Sequence, residues 1–189
     1  MSLWQTSLAN GMSDVIDTEG FRANVGIVLM RGDGSVFLGR RARGGGWQFP
    51  QGGMQTGEAP EQSLFRELHE EIGLTSGDVE LLGATHDWVR YRLPSRYVRR
   101  DQLPLCIGQK QRWFLLRLRD EAAKFAFTAT SEPEFDQWRW SGWWEPVREV
   151  IFFKRPVYVQ MLTELAALAF PHGAPPLPAW WDQAGARER

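Results

Sequence analysis

The stretch Gly52–Leu74, GGMQTGEAPEQSLFRELHEEIGL, decides how this 189-residue chain folds. Pro60 suits the first turn of a helix, because its missing N–H falls among donors that a helix start leaves unpaired anyway. Gly73 suits the left-handed position that ends one. At about 100° per residue, Leu64, Phe65, Leu68 and Ile72 share an arc of about 100°, the width of a core-facing stripe. Glu67, Glu70 and Glu71 fall together on another arc, at about 240–340° from Leu64. The spacing therefore predicts a helix over 60–72 that buries one face and gathers three carboxylates on another.

That gathering has a cost. Like charges three and four residues apart repel, and the negative end of the helix dipole adds to the penalty. A bound divalent cation would remove both, and oxygen-only donors suit Mg²⁺ or Mn²⁺ better than zinc. A solvated acidic face is the competing account. Periodicity alone favours it, since Arg66 sits close enough to soften the repulsion.

The apolar run around Val25, Ile27, Val28 and Leu29 reads as a buried strand over 22–31. A Gly32–Gly34 turn follows, with a returning strand at Val36–Arg40. The three glycines at 44–46 read as a loop, and Pro50 favours an extended approach to the helix. Strands are expected near 79–92, 111–119 and 135–141. A second helix is expected over 154–169, from Val157, Met161, Leu165 and Leu168. Strands mixed with two helices predict an α/β or α+β sandwich. The domain reading is a flexible N-terminal extension over 1–18, one catalytic domain over 19–170 and an irregular, proline-rich tail over 171–189.

Composition excludes several classes. Hydrophobic residues make up 43% and the net charge is −1, so a packed core is expected and no global attraction to nucleic acid. Any anionic partner must meet a local basic patch, and residues 90–112 supply one: Arg90, Arg92, Arg96, Arg99, Arg100, Lys110 and Arg112 against Asp101 alone. That stretch reads either as an RNA track, with Tyr91 and Tyr97 beside it, or as a charged loop and edge strand. Cys106 is the only cysteine, which rules out an internal disulfide and a Cys-rich zinc site. No apolar run approaches the roughly 20 residues that span a membrane, and the first residues do not read as a signal peptide, so a cytoplasmic protein is expected.

The same 23 residues also carry a resemblance. Gly52, Glu58, Arg66, Glu67, Leu68, Glu70, Glu71, Gly73 and Leu74 fill every defined position of the Nudix box. The chain is identified on this motif as resembling the Nudix hydrolases. The resemblance implies a Nudix α/β/α sandwich, a loop–helix–loop catalytic motif on a mixed sheet, and hydrolysis of phosphoric anhydrides. It makes Glu67, Glu70 and Glu71 candidate metal ligands for Mg²⁺ or Mn²⁺. Gly52, Glu58, Arg66 and Gly73 become structural members of the box, with Glu58 closing the loop onto the helix.

Outside the box, residues 20–29 (GFRANVGIVL), 47–53 (WQFPQGG), 107–116 (IGQKQRWFLL), 133–140 (PEFDQWRW) and 152–158 (FFKRPVY) resemble the RNA pyrophosphohydrolase branch of that family. This resemblance implies removal of pyrophosphate from 5′-triphosphorylated RNA, with mRNA decay as the outcome. It adds Glu134 as metal ligand or base, and Arg22, Arg40, Arg41, Phe153 and Lys154 as substrate-binding residues. It also implies a stimulating protein partner akin to diaminopimelate epimerase, and neither DNA nor membrane as a partner. A dinucleoside polyphosphate hydrolase is the alternative. A non-catalytic nucleotide or RNA sensor ranks below both, because all three box carboxylates are present.

Overall fold

The structure is a computed structural model describing residues 15–127 and 132–181. Its centre is β1 (Phe21–Met30), whose near-continuous apolar sequence is buried on both sides. Ala23, Val25, Ile27 and Leu29 face one core, and Val28 and Met30 face the other, as the two-residue period of a strand requires. Only a strand covered on both faces can bury such a run.

The covering layers follow from the helices. The remaining strands are β2 (Val36–Arg41), β3 (Trp47–Gln48), β4 (Gln51–Gly53), β5 (Val79–Ala84), β6 (Val89–Arg92), β7 (Gly108–Leu118) and β8 (Phe135–Ser141). They form one mixed sheet in the order β3-β2-β1-β7-β5, with β4 on β1, β6 on β7 and β8 on β2. The β1–β7 pair is parallel, running from Phe21 opposite Gly108 to Met30 opposite Arg117. Helix α1 (Pro60–Ile72) packs Leu64, Leu68 and Ile72 against Val25, Ile27 and Leu29. Helix α3 (Arg155–Ala169) packs Val157, Met161 and Leu165 against the opposite face, beside the short α2 (Pro146–Glu149). The result is the expected α/β/α sandwich.

Helix α1 begins at Pro60 and ends at Ile72, as its punctuation predicts. Gln62 Oε1 accepts the Ala59 N–H at 2.8 Å, and Gly73 takes φ 75° while donating to His69 O at 3.0 Å. A side chain at Gly73 would also meet Ala126 at 2.7 Å, so the position demands glycine twice over.

Two readings change. The span 79–92 is not continuous: its register with β7 shifts between Leu81 and Gly83, and β6 starts only at Val89. The basic stretch is not opposed by Asp101 alone. Lys110 pairs with Asp17 at 2.9 Å and Arg90 with Glu19 at 2.6 Å, because the chain entering β1 runs alongside β7.

Of the N-terminal extension, 1–14 lies outside the described residues; Val15 is already tied to Ala23, whose N–H donates to it at 2.8 Å. Residues 182–189 of the tail also lie outside. The described tail carries no strand, yet Trp144 Nε1 donates to Pro175 O at 3.0 Å and Trp181 packs on Trp144 at 4.7 Å. No described helix is long and apolar enough to cross a membrane.

Candidate active site

The box folds around Arg66. Its Nε donates to Glu58 Oε1 at 2.8 Å, and its Nη2 donates to Gly53 O at 2.9 Å and Glu58 Oε2 at 3.0 Å. The Gln55 N–H and the Ser63 hydroxyl also bond to Glu58, so loop and helix meet on one carboxylate. Burial alone would push that carboxyl up, but these bonds, those from Arg66 above all, hold it at about 2.

The three helix carboxylates differ. Glu67 is 7% exposed and Glu71 8%, whereas the Glu70 side chain is 40% exposed. Arg66 Nη1 donates to Glu67 Oε1 at 2.6 Å and to Glu70 Oε2 at 3.2 Å, while the Gln51 N–H donates to Glu71 Oε2 at 2.9 Å. Burial raises Glu67 to about 7 despite Arg66. Burial, then the negative charges of Glu67 and Glu134, push Glu71 well above the usual carboxylate range. Gly52 makes room for this cluster, since a Cβ there would overlap the Glu67 carboxylate.

The predicted residues outside the box converge on the same place, with one exception. Arg22 lies against Gly53, where a Cβ would meet its guanidinium, and its charge is felt at Glu67. Arg41 Nε donates to Glu134 Oε1 at 2.9 Å, so a candidate base and a candidate phosphate ligand form one ion pair. Lys154 is 1% exposed, with Nζ 3.4 Å from Gln48 Oε1. Burial, then the Arg41 charge, pull its ammonium down to about 7, against the opposing pull of Glu134 and Glu71. Phe153 packs its ring 5.7 Å from Tyr91. The exception is Arg40, which makes an exposed two-bond pair with Asp136 at 2.8 and 2.9 Å instead of joining this cluster. A cleft of about 160 Å³ opens beside Arg41, between the glycine loop 44–46, Gln48, Tyr97 and Ile151.

Sequence reasoning does not single out Gln48 and Gln51, nor the buried Asn24–Gln111 amide pair at 2.8 Å. Their signal is their place in WQFPQGG and IGQKQRW, polar residues inside otherwise buried strands.

A family model, the NUDIX domain, matches residues 20–165. The chain belongs to the Nudix family. Among its Nudix relatives, the RNA pyrophosphohydrolase of Alkalilimnicola ehrlichii is 53% identical over 164 residues, covering 87% of this chain and 91% of the relative. That of Xanthomonas oryzae pv. oryzae is 57% identical over 155 residues, covering 82% and 76%. The same fold appears in the E. coli dihydroneopterin triphosphate pyrophosphohydrolase, with a TM-score of 0.60 at 19% identity over 75% of this chain and 94% of that one. It appears again in the M. smegmatis Nudix hydrolase RenU, at 0.56 and 17% over 89% and 99%.

Nudix hydrolases generally use divalent metal ions. Among the described residues no three acidic, His or Cys groups stand in a ready-made metal cluster, and Arg66 pairs with Glu67 and Glu70. The donors nevertheless fit a hard cation. They are all oxygens, two are buried, and their mutual repulsion is what a bound cation would relieve.

Proposed function

We propose that this Nudix enzyme removes pyrophosphate from the triphosphorylated 5′ end of RNA. Water adds to phosphorus, the anhydride P–O bond breaks, and the products are 5′-monophosphate RNA, pyrophosphate and a proton. The observation that carries this reading is convergence. Residues from β1, β2, α1, the loop before β8 and the turn before α3 meet in one place, combining Glu67, Glu71 and Glu134 with Arg22, Arg41 and Lys154, and Phe153 stands next along the chain, sharing the Tyr91 ring with Lys154. The names of its close relatives point the same way.

Glu67, Glu70, Glu71 and Glu134 would hold Mg²⁺ or Mn²⁺, which when bound supplies charge neutralisation at phosphoryl oxygens and a more acidic water. The chain's own groups divide the remaining work. Arg22 and Arg41 offer planar donors to phosphate oxygens. Glu134, anchored by Arg41, would take the proton of the attacking water. Arg66 and Glu58 orient the helix carboxylates, and Gly52 and Gly53 let the backbone come close. Phe153 offers a ring on which a 5′ nucleotide can stack. Such transcripts arise in the cytoplasm, where we place the enzyme.

The test compares wild type with Phe153→Ala on triphosphorylated RNA and on a nucleoside triphosphate, with Mg²⁺ present. Stacking contributes about 1–3 kcal/mol per base, so RNA turnover should fall about 5- to 150-fold, and the ratio of the two activities with it. Wild-type protein that left triphosphorylated RNA intact, while cleaving diadenosine tetraphosphate rapidly, would overturn the reading in favour of a dinucleoside polyphosphate hydrolase.

A further inference from the structure

Phe153 belongs to a longer series of rings and cations. On its inner side Tyr91 lies 5.7 Å away, and Lys154 Nζ lies 5.7 Å from that tyrosine ring. On its outer side Tyr97 lies 5.3 Å away, Arg96 covers Tyr97 at 5.0 Å, and the same guanidinium sits 5.7 Å from Phe152. The series thus runs from a buried lysine in the catalytic cluster to a phenyl ring that is 39% exposed. Core packing accounts for Tyr91, which is 7% exposed, but not for a half-exposed phenyl beside an exposed arginine.

Charge follows the same direction. Arg90 and Lys110 are neutralised by Glu19 and Asp17, whereas among the described residues no carboxylate pairs with Arg96, Arg99 or Arg100. Arg92 and Arg112 likewise pair with no carboxylate among the described residues, so three of the five cations left without one stand on the loop that bears Tyr97. One terminal guanidinium nitrogen of Arg99, Nη2, is buried without a hydrogen-bond partner.

Aromatic faces alternating with arginines, in continuity with a phosphate-handling cluster, suit single-stranded nucleic acid, because every base has a π face and every nucleotide a phosphate. We propose that Phe152, Arg96 and the 95–100 loop form a track for the RNA nucleotides beyond those held at Phe153. Bases stack on Phe152, and the intervening phosphates meet Arg96. This track rests on the RNA reading proposed above.

The experiment measures kcat/KM on 5′-triphosphorylated oligonucleotides of two, four and eight residues with Mg²⁺, for wild type, Phe152→Ala, Arg96→Ala and Arg96→Lys. If one stacked base is gained, wild-type kcat/KM should rise about 5-fold or more between two and eight nucleotides. Phe152→Ala should remove most of that rise. Arg96→Ala should also flatten the salt dependence on the octamer by about 0.7 in log–log slope for each phosphate left without its cation, and Arg96→Lys should restore the slope. A wild-type enzyme that cleaves dinucleotide and octanucleotide equally well would overturn the track while leaving the RNA reading standing. Variants that lower all three lengths in proportion would overturn it too, leaving Phe152 and Arg96 as packing for Phe153. A wild type that cleaves none of the three would sink both.

Discussion

Replacing Lys154 with methionine should make the protein more stable and less active on RNA. The lysine is 1% exposed, and its only hydrogen bond among the described residues is to Gln48 at 3.4 Å. Burial, then Arg41, bring its ammonium from 10.5 to about 7. At 1.36 kcal/mol per pKa unit, that gap makes protonation inside the fold cost at most about 5 kcal/mol. Between about pH 7 and 10.5 the unfolded chain holds a proton that the folded one lacks, so wild-type stability should climb with pH across that window, by at most about 1.4 kcal/mol per pH unit. Below about pH 7 both states are protonated and the penalty is complete. Methionine fills similar space without charge, and replacing buried charges by apolar groups is often stabilising by about 1–4 kcal/mol. In a chain of this size that raises Tm by roughly 2–15 °C. Urea denaturation at pH 7 and 9.5 measures the gap, and turnover of triphosphorylated RNA measures the functional loss. A variant less stable than wild type at pH 7, or a gap unchanged at pH 9.5, would refute the reasoning.

Other perturbations probe separate links. Glu70→Gln should cost about 10²-fold or more in metal-dependent turnover if that carboxylate joins the metal site, with circular dichroism unchanged; near-wild-type turnover at saturating RNA would count against it. Glu58→Gln should cost about 3 kcal/mol near pH 6, because a carboxylate held at about 2 stabilises the fold above its ordinary 4.5 and loses that contribution as pH falls toward 2. The two proteins' stabilities should therefore converge in acid, and parallel acid-unfolding curves would contradict this. Gly26→Ala drives a Cβ into the Trp113 ring and should lower stability by about 1–3 kcal/mol; an unchanged urea midpoint would mean the indole can move aside.

Features encoded by local periodicity were legible in the sequence. Helix α1 announces itself because Pro60, Gly73 and the Leu64–Leu68–Ile72 stripe act within one element. The carboxylate cluster was legible for the same reason, since helix spacing alone puts Glu67 and Glu71 together. Pairings between distant segments were not. Nothing local tells Arg41 that Glu134, 93 residues away, will be its partner, or Lys110 that Asp17 will neutralise it. The burial of Lys154 was hidden for a different reason. A lysine is expected at the surface, and only the packing of α3 against β6 and β7 shows that this one is enclosed. The break inside 79–92 was hidden because a register shift at Gly83 leaves the apolar pattern on either side intact.

The parallel pairing of β1 with β7 has a consequence for how this chain is made. Asn24 and Gln111 stand opposite each other although 87 residues separate them. Strand β4 reaches β1 only at Asn24–Gly26, and β2 touches it at Met30. On the ribosome, Ile27 can donate to Pro50 O early, but the Val28–Leu29 segment must wait for β7 to be synthesised before its ladder can close. Contacts so far apart in sequence slow folding and leave apolar strands open to the wrong partners. The apolar Val25–Met30 run is then a surface on which a chaperone or a second nascent chain would find purchase. Expression at lower temperature or with slower initiation should therefore raise the soluble yield.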